Sequence, residues 1–430
     1  MRSRTLVAVA LSSLLLGVVL GQLLPSARAN STPSDDGSYR QLALFAEAMH
    51  TIRTRHIDPP ETKELIESAI EGMTQSLDEH SAYLHAGLLQ MLREDNAGEY
   101  LGVGVELLST PEGPRVLRVF PDSPAARRGL QAGDILLAID GKPLERESVE
   151  HIVLEMRQSK EQHLRLTVAR GERVFDVEIE KDLVHVDAVT VTTMPTGQLW
   201  IKLQQFNEDS SQTLKAALQR DRGAAAQRGV ILDLRDNPGG LLSEAIAVAQ
   251  LFLDRGVIVR VHDGEARSER YWSADPKRTI YRGPLVVLLN QNSASGSEIV
   301  AAALRDNNRA PLVGRRSFGK GTVQSILTLL DGSALKLTVT EYFGPKGYCI
   351  HHVGVIPDYE IAAALDDAPP ATFDAHPPAP CRTELDPRQA VPREASARHT
   401  RALADYDDPA LALASELLYE QQAPARTTGR

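Results

Sequence analysis

Ser295 and Lys320 are the residues of this chain best suited to covalent chemistry. Ser295 lies in Asn292-Ser-Ala-Ser-Gly-Ser-Glu298, after the apolar run Leu285–Asn290, and Lys320 lies in Ser317-Phe-Gly-Lys-Gly-Thr322, after Pro311–Gly314. A serine hydroxyl is a weak nucleophile until a base takes its proton. A lysine becomes such a base once burial draws its pKa toward neutrality. Ser293 and Ser297 are rival nucleophiles by composition. Lysines are usually solvated, but the apolar Phe318 and the flanking Gly319 and Gly321 favour close approach of backbone around this one. Gln324, four residues on, falls on the same face in a strand or a helix and can orient the amine while staying neutral. Gly296 offers an N–H to a developing oxyanion. So does Gly240, at the end of Asp233-Leu-Arg-Asp-Asn-Pro-Gly-Gly240, where an apolar strand gives way to a helix. Asp233 and Arg235 read as a structural pair.

Other chemistries fit less well. Gly314–Gly321 nearly matches a P-loop, but Gly321 stands where the metal-binding hydroxyl belongs, and Thr322–Leu329 reads as a strand where a P-loop opens a helix. A Ser-His-Asp triad would need His80, His351 or His352. The last two are adjacent, and in a strand they would point to opposite faces, so a structural or substrate-facing role is expected for both. No CxxC or HExxH supports a metal site. A different function is suggested by Tyr100-Leu-Gly-Val-Gly-Val105. Glycines there let backbone N–H groups converge, as in the capture of a peptide's terminal carboxylate, which makes Leu101, Gly102, Val103 and Gly104 candidate peptide-binding residues.

These residues need elements to hold them. The 430-residue chain is 42% apolar, enough for two or three domains. Its net charge of −10 argues against nucleic acid or an anionic membrane as a bulk partner. Arg2 and Arg4, the uncharged run Leu6–Leu20 and Ala27-Arg28-Ala29 predict a secretory leader cleaved after Ala29. An uncleaved membrane anchor is the alternative, and the rest of the chain is exported in both cases, to the periplasm. Residues 30–40 read as disordered. Leu42, Phe45, Met49 and Ile52, then Leu65, Ile66, Ile70 and Met73, predict helices broken at Asp58-Pro59-Pro60. Short strands follow, with Ser123-Pro124 as a helix start, Asp140-Gly141 as a tight turn and Arg170-Gly-Glu172 joining two strands. From Ala188 strands alternate with helices. Seven of the 25 prolines fall between Pro369 and Pro392, marking a linker before a leucine-spaced helix at Pro409–Gln421, which suits oligomerisation or adaptor docking. Cys349 and Cys381 are the only cysteines, and the sequence leaves their pairing open.

Pro121-Asp-Ser-Pro-Ala-Ala126, Gly129-Leu-Gln-Ala-Gly-Asp134 and Ile139-Asp-Gly-Lys142 together resemble a circularly arranged bacterial PDZ domain. With Leu77-Asp-Glu-His-Ser-Ala-Tyr-Leu84, Asp233–Leu242, Ser293–Ile299, Ser317–Gln324 and Gly354-Val-Ile-Pro-Asp358, residues 40–365 resemble the C-terminal-processing (tail-specific) serine proteases. The resemblance implies a mixed α/β fold: a ClpP/crotonase-like protease core at 184–366, a PDZ domain at 98–183 inserted after helices at 30–97, and a Pro/Ala-rich tail at 367–430 outside it. It implies Ser295 as nucleophile, Lys320 as general base, Gln324 orienting the lysine, and oxyanion donors near Gly240 and Gly296. It implies no metal or cofactor, and protein substrates with free C-termini. A homo-oligomer and an adaptor are further expectations. Family members usually have alanine at the position of Gly296 and proline at that of Glu79. The alternative is a peptide-binding PDZ scaffold that keeps the protease fold without hydrolysis.

Overall fold

The computed structural model describes residues 36–144, 148–221, 223, 228–263, 268–361 and 408–422. The leader expected at 1–29, the Pro-rich linker at 369–392 and Cys381 lie outside them. The chain divides into two compact units after Gly72. In the first, the Asp36–Arg55 helix begins inside the stretch expected to be disordered, and its Leu42, Phe45 and Ile52 are exposed. Among the described residues no helix is long and apolar enough to cross a membrane.

The second unit opens, after the helix that ends at Gln75, with a short strand, Ala82–Leu84, and the Ala86–Ala97 helix. A six-stranded antiparallel sheet follows, along the path Val105–Thr110, Gly113–Val119, Ile135–Ile139, His163–Arg170 and Arg173–Glu180, with Lys142–Pro143 paired to Ile135–Ile139 off that path. Local chemistry sets its turns. Asp140 and Gly141 both have positive φ, 50° and 79°, the backbone of a tight hairpin turn. The Ser123 hydroxyl accepts from Ala126 N–H at 3.2 Å and Pro124 follows it, so the short Pro124–Arg127 helix starts where the sequence places it. A second helix, Val149–Gln158, is capped by Ser148. It covers the sheet through Ile152, which packs with Leu136, Leu164, Leu166, Val168 and Ile179.

A second six-stranded sheet runs Val189–Thr193, Leu199–Leu203, Val230–Asp233, Leu285–Leu289, Leu312–Gly314 and Tyr359–Glu360, parallel after its antiparallel first strand. All five residues of Leu285–Leu289 are buried, as a sheet covered on both faces requires. Alternate residues feed two cores. Val230, Leu232, Leu285 and Val287 face the helices Ser210–Arg220, Leu242–Phe252 and Gly296–Asp306. Ile231, Val286, Leu288 and Val313 face Leu413, Leu417 and Leu418 of the Pro409–Gln422 helix. The terminal helix therefore spends its apolar side on the sheet, which corrects the expectation of an oligomerisation or adaptor surface there. A hairpin at Val257–Asp263 and Ser268–Ser273, not foreseen in the sequence, pairs with the long strand Ala334–Phe343. That strand also pairs with Thr322–Thr328 and with Ala82–Leu84. The mixed α/β class is as expected.

Candidate active site

Two turns at the carboxyl ends of the parallel strands meet over the Gly296–Asp306 helix. Ser295 caps that helix with φ 52° and ψ −109°, a conformation costly for any residue but glycine, held here by its surroundings. What holds it is Glu298, whose carboxylate is fully buried. Oε2 accepts from the N–H of Ser295 and from the N–H of Lys320, each at 2.8 Å, and Oε1 accepts from Ser317 Oγ at 2.6 Å and Gly319 N–H at 2.7 Å. One carboxylate thus ties the serine turn to the lysine turn. Burial pushes its pKa up to about 7 against the pull of those four donors. Glu298 was not among the site residues expected from the sequence. Its position three residues after a capping serine was the available signal.

Lys320 is half-buried, and among the described residues its amine has no hydrogen-bond or ion-pair partner. Burial holds it below the ordinary lysine value, with repulsion from Lys336 adding to this and Glu298 and Glu79 opposing it. Tyr342, buried beside Ser295, donates from its hydroxyl to the Lys320 carbonyl. Tyr342 was missed in the sequence because it lies on a distant strand. The rival serines are committed elsewhere: Ser293 Oγ donates to Leu234 O at 2.8 Å and Ser297 Oγ to Asn237 O at 3.0 Å. Gln324 donates from its amide to Thr322 Oγ1 at 3.0 Å and Thr338 Oγ1 at 3.2 Å.

The Asp233–Gly240 turn closes over Ser295. A Cβ on Gly239 (φ 102°) would lie 2.7 Å from Ser295 Cβ and 2.9 Å from Gly296 N, so only glycine allows this approach. Gly240 is held by Phe206, whose N–H donates to Gly239 O at 2.9 Å and whose carbonyl accepts from Leu241 N–H at 2.8 Å. Among the described residues neither Gly240 N–H nor Gly296 N–H has an acceptor. The space that an alanine methyl would take at Gly296 is filled by the Phe206 ring, 2.9 Å from the would-be Cβ. Asp233, fully buried, takes Arg235 at 2.6 Å as well as Trp200 Nε1 at 3.0 Å, and Arg235 reaches on to Asp408 at 2.8 Å. This is the structural pair expected, extended to the terminal helix.

His351 and His352 sit in a turn, not a strand, with His352 at φ 57° and the ring centroids 3.8 Å apart. Their expected opposition across a strand is therefore corrected. His80 approaches His351 with centroids 6.2 Å apart. Burial first, with Lys320 next for His80 and the adjacent imidazoles next for His351, pushes both down to about 4.

Of the candidate peptide-binding residues, Leu101 is exposed while Gly102, Val103 and Gly104 are buried. The Val103 carbonyl accepts from Ala125 N–H at 2.8 Å and that of Gly104 from Phe120 N–H at 3.0 Å, turning the carbonyls inward. The loop leads into Val105–Thr110, an edge strand of its sheet. Beside it a cavity of about 750 Å³ is lined by Val105, Leu107, Val153 and Arg157 and also by Lys202, Gln204 and Asp236, at the carboxyl ends of the Leu199–Leu203 and Val230–Asp233 strands. Arg118 donates to Gln204 at 2.5 Å.

An edge strand and an open cavity therefore lie beside the Asp233–Gly240 turn that packs on Ser295. Residues 199–361 match peptidase family S41, and residues 115–170 match a PDZ domain. The chain is 35% identical over 358 residues to the carboxy-terminal-processing protease of Bartonella bacilliformis, spanning 82% of each protein. It is 31% identical over 314 residues to a probable CtpA-like serine protease of Staphylococcus epidermidis, spanning 73% of this chain and 64% of that relative. The solved photosystem II D1 C-terminal processing protease is 28% identical, with a TM-score of 0.48 over 75% of this chain and 88% of that one. The chain belongs to peptidase family S41, the PDZ-containing carboxy-terminal-processing serine proteases.

Proposed function

We propose that this protein is an exported endopeptidase that cleaves proteins near their C-termini with a Ser295–Lys320 dyad. The observation that carries the reading is the Glu298 carboxylate, which gathers the N–H groups of both residues onto one oxygen while the lysine amine stays half-buried and unpaired. The substrate's C-terminal end adds to the Val105–Thr110 edge and places its carboxylate at Leu101–Gly104. The Ser295 hydroxyl turns toward Lys320, which, neutral when desolvated, takes the proton as oxygen attacks the carbonyl. Gly240 and Gly296 N–H groups receive the oxyanion, each worth about 10²–10³ in rate. The lysine then protonates the leaving amine and water releases the acyl group. The leader at 1–29 supports a periplasmic location.

The test is a fluorophosphonate labelling map with parallel turnover of a peptide carrying an apolar C-terminus. The expected result is label on Ser295, none on Ser295→Ala, and no turnover by Lys320→Ala or Lys320→Arg, because guanidinium stays protonated. Label on another serine, or wild-type turnover by Ser295→Ala, refutes the nucleophile. An active arginine variant removes lysine from the base role.

A further inference from the structure

Within Leu77–Leu84, Asp78 is bonded toward Gln324 through Thr338. The Asp78 carboxylate accepts from His80 N–H and Ser81 N–H at 2.9 Å, from Ser81 Oγ at 2.6 Å and from Thr338 Oγ1 at 3.0 Å. The Ser81 hydroxyl in turn accepts from Thr338 N–H at 3.1 Å, so Thr338 is fixed to this segment through both backbone and side chain. Burial raises the Asp78 pKa, but the bonds from Ser81, His80 and Thr338 outweigh it and hold the carboxyl below its ordinary range.

An ionised carboxylate can only accept, and a threonine hydroxyl has one hydrogen. The Thr338 hydrogen therefore goes to Asp78, and toward Gln324, 3.2 Å away, Thr338 can only accept. Gln324 must present its NH₂ to Thr338, and the second hydrogen of that NH₂ goes to Thr322 Oγ1 at 3.0 Å. The amide oxygen is left on the other side, without a donor among the described residues. An amide's two ends are nearly the same shape, so packing alone does not choose between them. The direction of these hydrogen bonds does.

We propose that Asp78, acting through Thr338, sets the polarity of the Gln324 amide so that its oxygen rather than its nitrogen is presented to the Lys320 amine. The proposal rests on the Ser–Lys reading and makes Asp78 and Thr338 positioning residues. The polarity matters because a neutral amine has one lone pair and two hydrogens. An amide oxygen takes one of those hydrogens and leaves the lone pair for the serine proton. An inverted amide donates into the lone pair and competes with the serine.

The experiment measures the rate of fluorophosphonate labelling of Ser295, and kcat and KM for a peptide, across pH in wild type, Thr338→Ser, Thr338→Val and Asp78→Ala. Thr338→Ser keeps the hydroxyl and is expected to behave as wild type. Thr338→Val and Asp78→Ala free the amide to invert, so kcat and the labelling rate fall about tenfold, the worth of one ordinary hydrogen bond, with KM unchanged. Their rising pH limb also moves to lower pH, since a donor on the lone pair favours the neutral amine. In Thr338→Val a purely structural role would not produce that shift, because the substitution removes no charge and Lys336, Glu298 and Glu79 around the amine are intact. In a Gln324→Ala background Thr338→Val is expected to add nothing to the labelling defect. Should Thr338→Val melt early, Asp78→Ala carries the test, and the same substitution in the Gln324→Ala background separates the relay from the lost charge. Wild-type rates and limb in both variants, with label still on Ser295, overturn the relay alone. Label on another serine overturns the Ser–Lys reading instead.

Discussion

Gly239→Ala tests the close approach on which the site depends. The new methyl would lie 2.7 Å from Ser295 Cβ, 2.9 Å from Ala294 O and 2.9 Å from Gly296 N, all of them main-chain or first-carbon atoms that cannot swing aside. Relief requires the Asp233–Gly240 turn and the serine turn to separate by about 1 Å, given ordinary carbon contacts of about 3.5–4.0 Å. The residue also has φ 102°, where a side chain is strained by roughly 1–2 kcal/mol. With overpacking at about 1–3 kcal/mol, the expected loss of stability is about 2–5 kcal/mol. A displacement of that size moves the Gly240 and Gly296 donors away from one another, so kcat/KM falls by about 10²-fold or more. Gly129→Ala is the control. Its φ is 79° but a Cβ there meets nothing within 4 Å, so it reports backbone strain without the approach. Urea unfolding with turnover on the same samples separates the two effects. Equal kcat/KM for Gly239→Ala and Gly129→Ala would refute the reasoning.

Leu413→Ala and Leu418→Ala, on the terminal helix, are expected to cost about 2–5 kcal/mol each in urea unfolding, because both side chains are fully buried against the sheet. A loss under about 0.5 kcal/mol would mean that the helix does not dock. Arg235→Met strands the buried Asp233 carboxylate and is expected to cost about 3–5 kcal/mol, of which Asp233→Asn in the same chain recovers a part. His80 and His351 both have folded pKa values depressed from 6.5 to about 4. Between those values the unfolded chain binds more protons, so their contribution is full above pH 6.5 and is lost as pH falls toward 4. Urea midpoints at pH 7 and pH 5 check this, and a His80→Asn/His351→Asn double variant should show a smaller difference between the two.

Elements whose signals are local were legible in the sequence. The Ser123-Pro124 cap, the Asp140-Gly141 turn and the pairing of Leu164 with Ile179 across Arg170–Glu172 all rest on neighbours in the chain. The serine and lysine turns were legible as well, because glycine, serine and a strand end concentrate there. What could not be read depends on tertiary closure. Glu298 gathers donors from residues 19 to 22 positions away, Tyr342 reaches Lys320 from 22 positions on, and Thr338 meets Asp78 from 260 positions on. The histidine turn was misread because alternation holds only within a strand, and His352 at φ 57° leaves strand geometry altogether. The terminal helix was misassigned for a related reason. An apolar stripe shows that a face must be covered, not what covers it.

The cover that the Pro409–Gln422 helix gives has a bearing on biosynthesis. Ile231, Val286, Leu288 and Val313 are all in place once residue 313 has been made, but their lid, from Ala410 to Leu418, is synthesised about a hundred residues later. Until then the nascent sheet carries a bare hydrophobic face of the kind that aggregates or recruits a holdase. A chain stopped short of that helix would retain every residue of the serine and lysine turns and still lack a finished core.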